Sequence, residues 1–255
     1  IWKCGEEYQS HQGKYPVIFL TFKDVKFDTW ESTIDKIRGL LQEEYGRHQE
    51  LLSSDKLSQY EKEYFAKILD ASANEVELTS ALERLSKMLA THYGKAPIII
   101  IDEYDNFTNV VLNEQGKEVY HALTHASGFY REIFKKFKGM FERIFMTGVS
   151  PVTLDDLTSG FNIGWNISTK HQFNMMLGFS ETDVREMLQY YKDARQLPGN
   201  VDISAMIEEM RPWYDNYCFA EESLERDPKM FNCDMVLYYL RNYITLGLSL
   251  IHILR

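Results

Sequence analysis

An apolar run that ends directly in carboxylates restricts the fold of this chain more than any other feature. Residues 98–101 are four isoleucines, and Asp102, Glu103 and Asp105 follow them in the stretch KAPIIIIDEYDNF. A continuous β-branched run of this kind predicts a strand that is buried on both faces, as strands in a parallel sheet are. Because helices must cover both faces of such a sheet, the motif predicts an α/β fold.

The remaining periodicities agree with this interpretation. Two further apolar runs, YPVIFLTF at 15–22 and RIFMTGV at 143–149, predict one strand before and one strand after the isoleucine strand. Amphipathic helical patterns separate these three runs. They predict helices at 29–46, 57–70, 76–93 and 128–141. After about residue 170 no strand pattern is visible. The helices predicted there lie at 181–193, 202–210 and 232–245.

Composition excludes several classes of function. The 255 residues carry a formal net charge of −10, and the sequence pI is about 5.2, so no general attraction to nucleic acid or anionic membrane is expected. The three cysteines form no CxxC pair, which fits a reducing cytoplasm. No apolar run approaches the ~20 residues of a membrane-spanning helix, and no signal peptide is recognisable. The sequence therefore predicts a cytoplasmic protein without a membrane partner.

The position of the acidic cluster predicts a nucleotide-hydrolysing site. Open α/β sheets bind ligands outside the carboxyl ends of their strands, and four aliphatic residues followed by Asp-Glu form the Walker B signature of P-loop ATPases. In that interpretation Asp102 holds Mg²⁺ through water and Glu103 polarises the water that attacks the γ-phosphate. Asp105 then adds a charge to the nucleotide site or braces a loop. The alternative is a buried strand that ends in an acidic turn. Three carboxylates within four residues repel one another, which favours a bound cation.

Two polar residues near the next predicted strand fit the same site. Thr147 and Ser150 flank the carboxyl end of that strand, in FMTGVSP. In P-loop ATPases a polar residue at this place, called sensor 1, contacts the γ-phosphate or the attacking water. We therefore predict catalytic roles for both residues, with a simple Thr-Gly turn as the alternative.

The phosphate-binding loop that should precede this site is not found in the chain. A P-loop reads GxxxxGK[ST], and its backbone and lysine cradle the phosphates. The Gly-Lys pairs here, at 13–14, 94–95 and 116–117, are followed by Tyr, Ala and Glu and lack the preceding glycine. We expect the loop to lie upstream of Ile1 and the chain to be truncated at both ends. The isolated chain is then expected to be inactive.

Five ordered motifs carry a resemblance that extends over roughly residues 15–245. They are IIIIDEYDNF, YHALTHASGFYREIFK, FMTGVSPVTLDDLTSGFNI, MLGFSETDV and WYDNYCF. In this order they resemble the predicted AAA-ATPase-like family. The resemblance implies ATP and Mg²⁺ as cofactors, Asp102 and Glu103 as the Walker B pair, and a sensor 1 strand carrying Thr147 and Ser150. It also implies an upstream Walker A loop and often a C-terminal PD-(D/E)XK nuclease-like domain.

The sequence thus predicts a P-loop NTPase-like parallel sheet flanked by helices at 1–170, without its Walker A segment, and a helical lid-like subdomain at 171–255. The first hypothesis is a fragment of an AAA-like ATPase in which MgATP hydrolysis moves the subdomain relative to the core. Two alternatives stay open: a non-catalytic interaction scaffold of the same fold, and the ATPase module of a nuclease-linked DNA-processing protein. The expected partners are a nucleotide and either another protein or a second copy of the chain. The charge of the chain does not support nucleic acid as a partner.

Overall fold

The structure is a computed structural model, and it divides into two compact units, Ile1–Gly164 and Trp165–Arg255. It describes residues 5–23, 30–106, 133, 136–137, 139–149, 165–215, 217–226 and 229–247, with only the backbone of Trp30, Glu31 and Thr33. Among these residues no helix is both long enough and apolar enough to cross a bilayer. The assignment of an ATPase core to 1–170 and of a lid-like subdomain to 171–255 stays a prediction.

In the described part of the first unit, three strands form a parallel sheet at the centre. The strands are β1 (Val17–Thr21), β2 (Ile98–Asp102) and β3 (Arg143–Met146), in the order β1-β2-β3. Both pairings are parallel, so the carboxyl ends of all three strands lie at one edge of the sheet. In the central strand β2, Ile99 and Ile101 are completely buried. The predicted α/β fold, a parallel sheet flanked by helices, is confirmed.

The described residues of the first unit form five α-helices, and the last four of these helices pack with the sheet into one core. The five are α1 (Glu6–Gln9), α2 (Trp30–Gly46), α3 (Gln59–Leu69), α4 (Glu75–Thr79) and α5 (Ala81–Tyr93), with a 3₁₀ turn at Gln49–Ser53. The periodicity of α2 buries Ile34, Leu41 and Tyr45 on one stripe. The Tyr45 ring lies 4.7 Å from that of Phe65, and its hydroxyl donates a 2.7 Å hydrogen bond to the carbonyl oxygen of Ala81. These contacts join α2 to α3 and α5.

The single helix predicted at 76–93 is two helices in the structure. Helix α4 ends at Thr79 and α5 begins at Ala81, with Ser80 between them. The Lys136 ammonium donates hydrogen bonds to the Thr79 carbonyl oxygen at 3.2 Å and to the Ser80 hydroxyl at 2.9 Å. A distant side chain thereby satisfies polar groups at the break. The prediction was wrong here because the helical spacing of the leucines continues across the break.

A buried carboxylate lies beside β1, which is an edge strand of the described sheet. The Glu44 side chain is 2% exposed, and its Oε1 atom accepts a 3.1 Å hydrogen bond from the backbone N–H of Phe19. The Arg47 guanidinium lies 2.9 Å from Oε2, and Nε2 of His48 lies 3.0 Å from Oε1. An edge strand presents backbone N–H groups to which other chains can pair. Glu44 accepts the hydrogen bond of one of these N–H groups, which is then not available for pairing with another chain.

Three α-helices lie in the described part of the second unit. They are α6 (Glu181–Asp193), α7 (Ile203–Tyr214) and α8 (Cys233–Leu246), close to the helices predicted for this region. The side chains of Ser180, Asp202 and Asn232 accept hydrogen bonds from the first turns of these helices, as N-caps do. The described residues of this unit form two isolated bridges and no strand. The helices enclose a separate apolar core.

Arg211 links α7 to α6 within the second unit. Its guanidinium lies 3.1 Å from Glu208, 2.8 Å from Glu181 and 2.8 Å from Asp215. Hydrogen bonds raise the pKa of Arg211, and the bond to Glu208 has the largest effect, followed by the bond to Glu181. Hydrogen bonds from Arg211 and Arg185 lower the pKa of Glu181 below its usual value. The ion pair between Glu181 and Arg211 therefore requires the charged form of Glu181.

Candidate functional site

Two residues predicted for the nucleotide site meet at the carboxyl edge of the sheet. Asp102 is the last residue of β2, and Thr147 follows the last residue of β3. The Thr147 hydroxyl donates a 2.6 Å hydrogen bond to Oδ1 of Asp102. Asp102 is half-buried and Thr147 is exposed, so solvent reaches both residues. The structure thus brings the predicted metal ligand into contact with one of the predicted sensor residues.

Glu103 follows Asp102 and has an uncommon backbone conformation. Its φ angle is 52°, in the left-handed region that few residues other than glycine adopt. The chain turns at this point, and the turn is closed by a 3.0 Å hydrogen bond from the N–H of Asn106 to the carbonyl oxygen of Glu103. The side chain is half-buried, and no described residue hydrogen-bonds its carboxylate. A carboxylate in this environment can act on a ligand or on a water molecule.

Asp105 differs from the two preceding acids because it is buried. It is 1% exposed, and its two oxygens lie 3.1 and 3.0 Å from the backbone nitrogen of Val149, which donates to them. The N–H of Tyr104 donates a 3.1 Å hydrogen bond to the carbonyl oxygen of Thr147. The acidic segment and the residues after β3 are therefore joined by backbone as well as side-chain groups. A direct contact between Asp105 and a nucleotide stays a prediction.

Gly148 allows these two segments to approach each other. A Cβ atom at this position would lie 2.5 Å from Oδ1 of Asp105 and 2.6 Å from the Tyr104 ring. Both distances are shorter than a van der Waals contact, so a larger residue would push the segments apart. Sequence reasoning missed the roles of Gly148 and Val149. The signal present in the sequence was the glycine within FMTGVSP, because a glycine beside a strand can mark a close backbone approach.

The acidic segment is also held from the β1 side. The Asn106 side-chain amide donates a 2.8 Å hydrogen bond to the carbonyl oxygen of Phe22, which follows β1. The N–H of Phe22 donates a 3.0 Å hydrogen bond to the carbonyl oxygen of Asp102. Sequence reasoning missed both contacts. The chain after β2 is thus held by hydrogen bonds to residues that follow both neighbouring strands. The contacts with Phe22 do not involve the Asp102 carboxylate.

Asp102 fits the role of a Mg²⁺ ligand. Oδ1 accepts the hydrogen bond from Thr147, and no described residue donates to Oδ2. In the part of the chain that the structure describes, no three His, Cys, Asp or Glu side chains are grouped to hold a metal ion. Nucleotide-bound Mg²⁺ does not need such a group, because it keeps several waters and is bound through one or two carboxylates and the phosphates. Ser150 lies outside the described residues, and its role stays a prediction.

A surface cavity between α3 and α5 contains none of these residues. Its volume is about 570 Å³, and its lining residues fall within 58–64 and 80–88. Inside it, the Arg84 guanidinium stacks 4.0 Å from the centre of the Tyr64 ring and donates a 3.2 Å hydrogen bond to the Tyr60 hydroxyl. No residue of β2 or β3 lines the cavity, so it is separate from the predicted nucleotide site.

The parallel sheet, with acids and a threonine at the carboxyl ends of adjacent strands, defines a mixed α/β protein of the P-loop-like kind. The sequence model of the AAA-ATPase-like family, described as a predicted AAA-ATPase, matches residues 2–158, which is more than half of the chain. The chain therefore belongs to this family, and the resemblance carried by its motifs is confirmed. No curated protein and no solved structure matched the chain.

Proposed function

We propose that the intact protein binds and hydrolyses MgATP, with Asp102 and Glu103 as its Walker B pair. The observation that carries this proposal is the 2.6 Å contact between Asp102 and Thr147. Within a predicted AAA-ATPase, it joins the residue that would hold the metal to a residue that would sense the nucleotide.

Each side chain has a separate task in this proposal. Asp102 would hold Mg²⁺ through water, and the ion when bound would neutralise charge on the β- and γ-phosphate oxygens. Glu103 would accept a hydrogen bond from the attacking water and take up its proton. Because Thr147 donates its one hydroxyl hydrogen to Asp102, it can only accept a further hydrogen bond. Thr147 is thus better suited to contact the water than a phosphate oxygen. Ser150 would supply a second polar contact.

The proposal requires a phosphate-binding loop of the pattern GxxxxGK[ST], which does not occur in residues 1–255. Among the described residues, β3 pairs with β2 alone, and no strand pairs with the outer edge of β3. A further parallel strand on that edge would bring its carboxyl end to the same side of the sheet as Asp102. The loop that follows such a strand would then lie beside Thr147. A GxxxxGK[ST] loop in that place would complete the proposed site.

The second unit would act as the lid of the ATPase. Helices α6, α7 and α8 enclose a core of their own, which supports a movement of the unit as one body. Hydrolysis would change the position of this unit. In other nucleotide-dependent switches, domains move about hinges or segments become ordered or disordered. The movement would act on another protein or on a second copy of the chain in the cytoplasm.

The test is MgATP binding and phosphate release by the natural full-length protein and its Glu103→Gln variant. Loss of the general base should preserve binding and lower turnover by about 10²-fold or more. The matched control is Glu75→Gln, which neutralises an exposed glutamate of the same unit. Equal turnover in wild type and Glu103→Gln would remove Glu103 from the role proposed for it.

Two other outcomes would favour the alternative functions. Absence of both MgATP binding and hydrolysis in the full-length protein would favour a non-catalytic interaction scaffold of the same fold. Nucleotide-dependent cleavage of DNA by the full-length protein would favour an ATPase module of a nuclease-linked DNA-processing protein. The contact between Asp102 and Thr147 is expected in a nuclease-linked ATPase module as well, so these outcomes and not the contact separate the alternatives.

A further inference from the structure

We infer that Asp105 is a positioning residue, which holds the segment after β3 so that Thr147 stays on Asp102. The inference rests on the proposed ATPase function, because it assigns a task within that site. It separates the three acids of the DEYD motif into two kinds. Asp102 and Glu103 are half-buried and within reach of a ligand, whereas Asp105 is 1% exposed.

The Asp105 carboxylate is directed at a backbone group of the neighbouring segment. Both of its oxygens lie within 3.1 Å of the Val149 nitrogen. A hydrogen bond to a charged acceptor is shorter and stronger than one between neutral groups. Val149 itself is 91% exposed and has little apolar packing to hold it. The carboxylate therefore provides an anchor that the side chain of Val149 does not.

This anchor is important for Thr147 because of where β3 ends. The last regular pairing between β2 and β3 is Ile101 with Met146, and Thr147 lies beyond it. Its backbone makes two further hydrogen bonds to the β2 side, one from its N–H to Ile101 and one from the N–H of Tyr104 to its carbonyl oxygen. Terminal pairs of a strand open most easily. A second attachment two residues further on prevents this opening, and that attachment is made by Asp105.

Gly148 supports the inference from the opposite side of the contact. Its missing side chain leaves the space that Oδ1 of Asp105 and the Tyr104 ring occupy. The close approach therefore depends on the glycine and the aspartate together. A residue that only supplied charge to a nucleotide would not need this fit with the adjacent segment.

Hydrogen exchange of the full-length protein tests the anchor independently of activity. In wild type the amides of Thr147 and Val149, which donate to Ile101 and Asp105, should be protected. In Asp105→Ala they should exchange roughly tenfold faster or more, while residues 98–101 keep their protection. Asp105→Asn keeps the shape and one acceptor oxygen, so it should fall between the two. Asp55→Ala, at an exposed aspartate of the same unit, is the matched control. Unchanged exchange at 147–149 in both Asp105 variants would overturn the inference.

Kinetics distinguish a positioning residue from a ligand. Asp105→Asn should lower kcat for MgATP hydrolysis and leave KM and the half-saturating Mg²⁺ concentration unchanged. In a Thr147→Val background, Asp105→Asn should cause no further loss of kcat, because it acts through Thr147. A higher Mg²⁺ requirement in Asp105→Asn, or independent losses in the double variant, would contradict the inference.

The two experiments also separate this inference from the ATPase proposal. If the wild-type protein shows the expected exchange pattern but does not hydrolyse MgATP, the ATPase proposal and the role of Asp105 in catalysis are refuted. The structural role of Asp105 in holding the segment after β3 is not. A wild-type protein that hydrolyses MgATP but has unprotected amides at 147–149 refutes the anchor and leaves the ATPase proposal intact.

Discussion

Removal of the buried Glu44 carboxylate should destabilise the first unit much more than removal of its exposed neighbour Glu43. Glu44 is 2% exposed and joins α2 to the edge strand β1 through the N–H of Phe19. It also binds Arg47 and His48. The variants Glu44→Ala and Glu44→Gln separate these contributions, because glutamine keeps a side-chain oxygen that can accept from Phe19.

The expected magnitudes follow from the exposure of each partner. The hydrogen bond from Phe19 to a charged acceptor contributes about 1.5–3 kcal/mol. Arg47 is 49% exposed, so solvent screening limits its ion pair to about 1 kcal/mol or less. With the contact to His48, Glu44→Ala should lower the free energy of unfolding by about 2–4 kcal/mol. Glu44→Gln should cost roughly 1 kcal/mol, since it loses the charge but retains the hydrogen bond to β1.

Urea unfolding followed by far-UV circular dichroism measures these differences. Hydrogen exchange of residues 17–21 then assigns the loss to β1 and its contact with α2. Glu43→Ala and Glu43→Gln are the matched controls, because Glu43 is exposed on the same helix. The reasoning is refuted if all four variants lie within about 0.5 kcal/mol of wild type, the usual range for surface substitutions.

Three further outcomes are expected. Because hydrogen bonds from Arg211 and Arg185 lower the pKa of Glu181, their stabilisation is present above the usual carboxyl value of 4.5 and is lost as the pH falls through the lowered value. Acid unfolding of the second unit should therefore be shallower in Glu181→Gln, and identical curves would contradict this. Ser58→Ala should lower unfolding free energy by about 1 kcal/mol in urea, because it removes the capping box of α3; a gain in stability would exclude this cap. Gly148→Ala should destabilise by about 1–3 kcal/mol in the same assay, and a neutral result would show that the two segments leave room for a methyl group.

Local patterns were sufficient to predict the elements that carry the site. The run of isoleucines at 98–101 predicts the strand β2, but the expectation that both of its faces are buried was wrong: Ile99 and Ile101 are completely buried, whereas Ile98 and Ile100 are half-buried. The parallel arrangement followed from the helices between the strands, and with it the meeting of strand ends at one edge. The contact between Asp102 and Thr147 lies at that edge. The catalytic roles of both residues stay predictions.

The contacts that hold the site in place could not be predicted, because they join residues far apart in the chain. Asp105 and Val149 are 44 positions apart, and Glu44 and Phe19 are 25 positions apart. A helical or strand period describes neighbours within one element and contains no information on such pairs. The break at Ser80 has the same cause, since the lysine that binds there is 56 positions away.

In the proposed ATPase, the left-handed backbone of Glu103 would be a trade-off between folding and activity. A non-glycine residue in this conformation costs about 1–2 kcal/mol, which glycine avoids at the expense of a more flexible unfolded chain. Glu103→Gly should therefore be as stable as wild type or more stable by up to ~1 kcal/mol, and inactive. Ala71, which has a φ of 61° and is exposed, provides the comparison: Ala71→Gly should bring a similar gain and leave turnover unchanged. Selection for catalysis can keep a residue in a strained conformation that selection for folding would remove. At such a position, a substitution that abolishes function is expected to stabilise the protein.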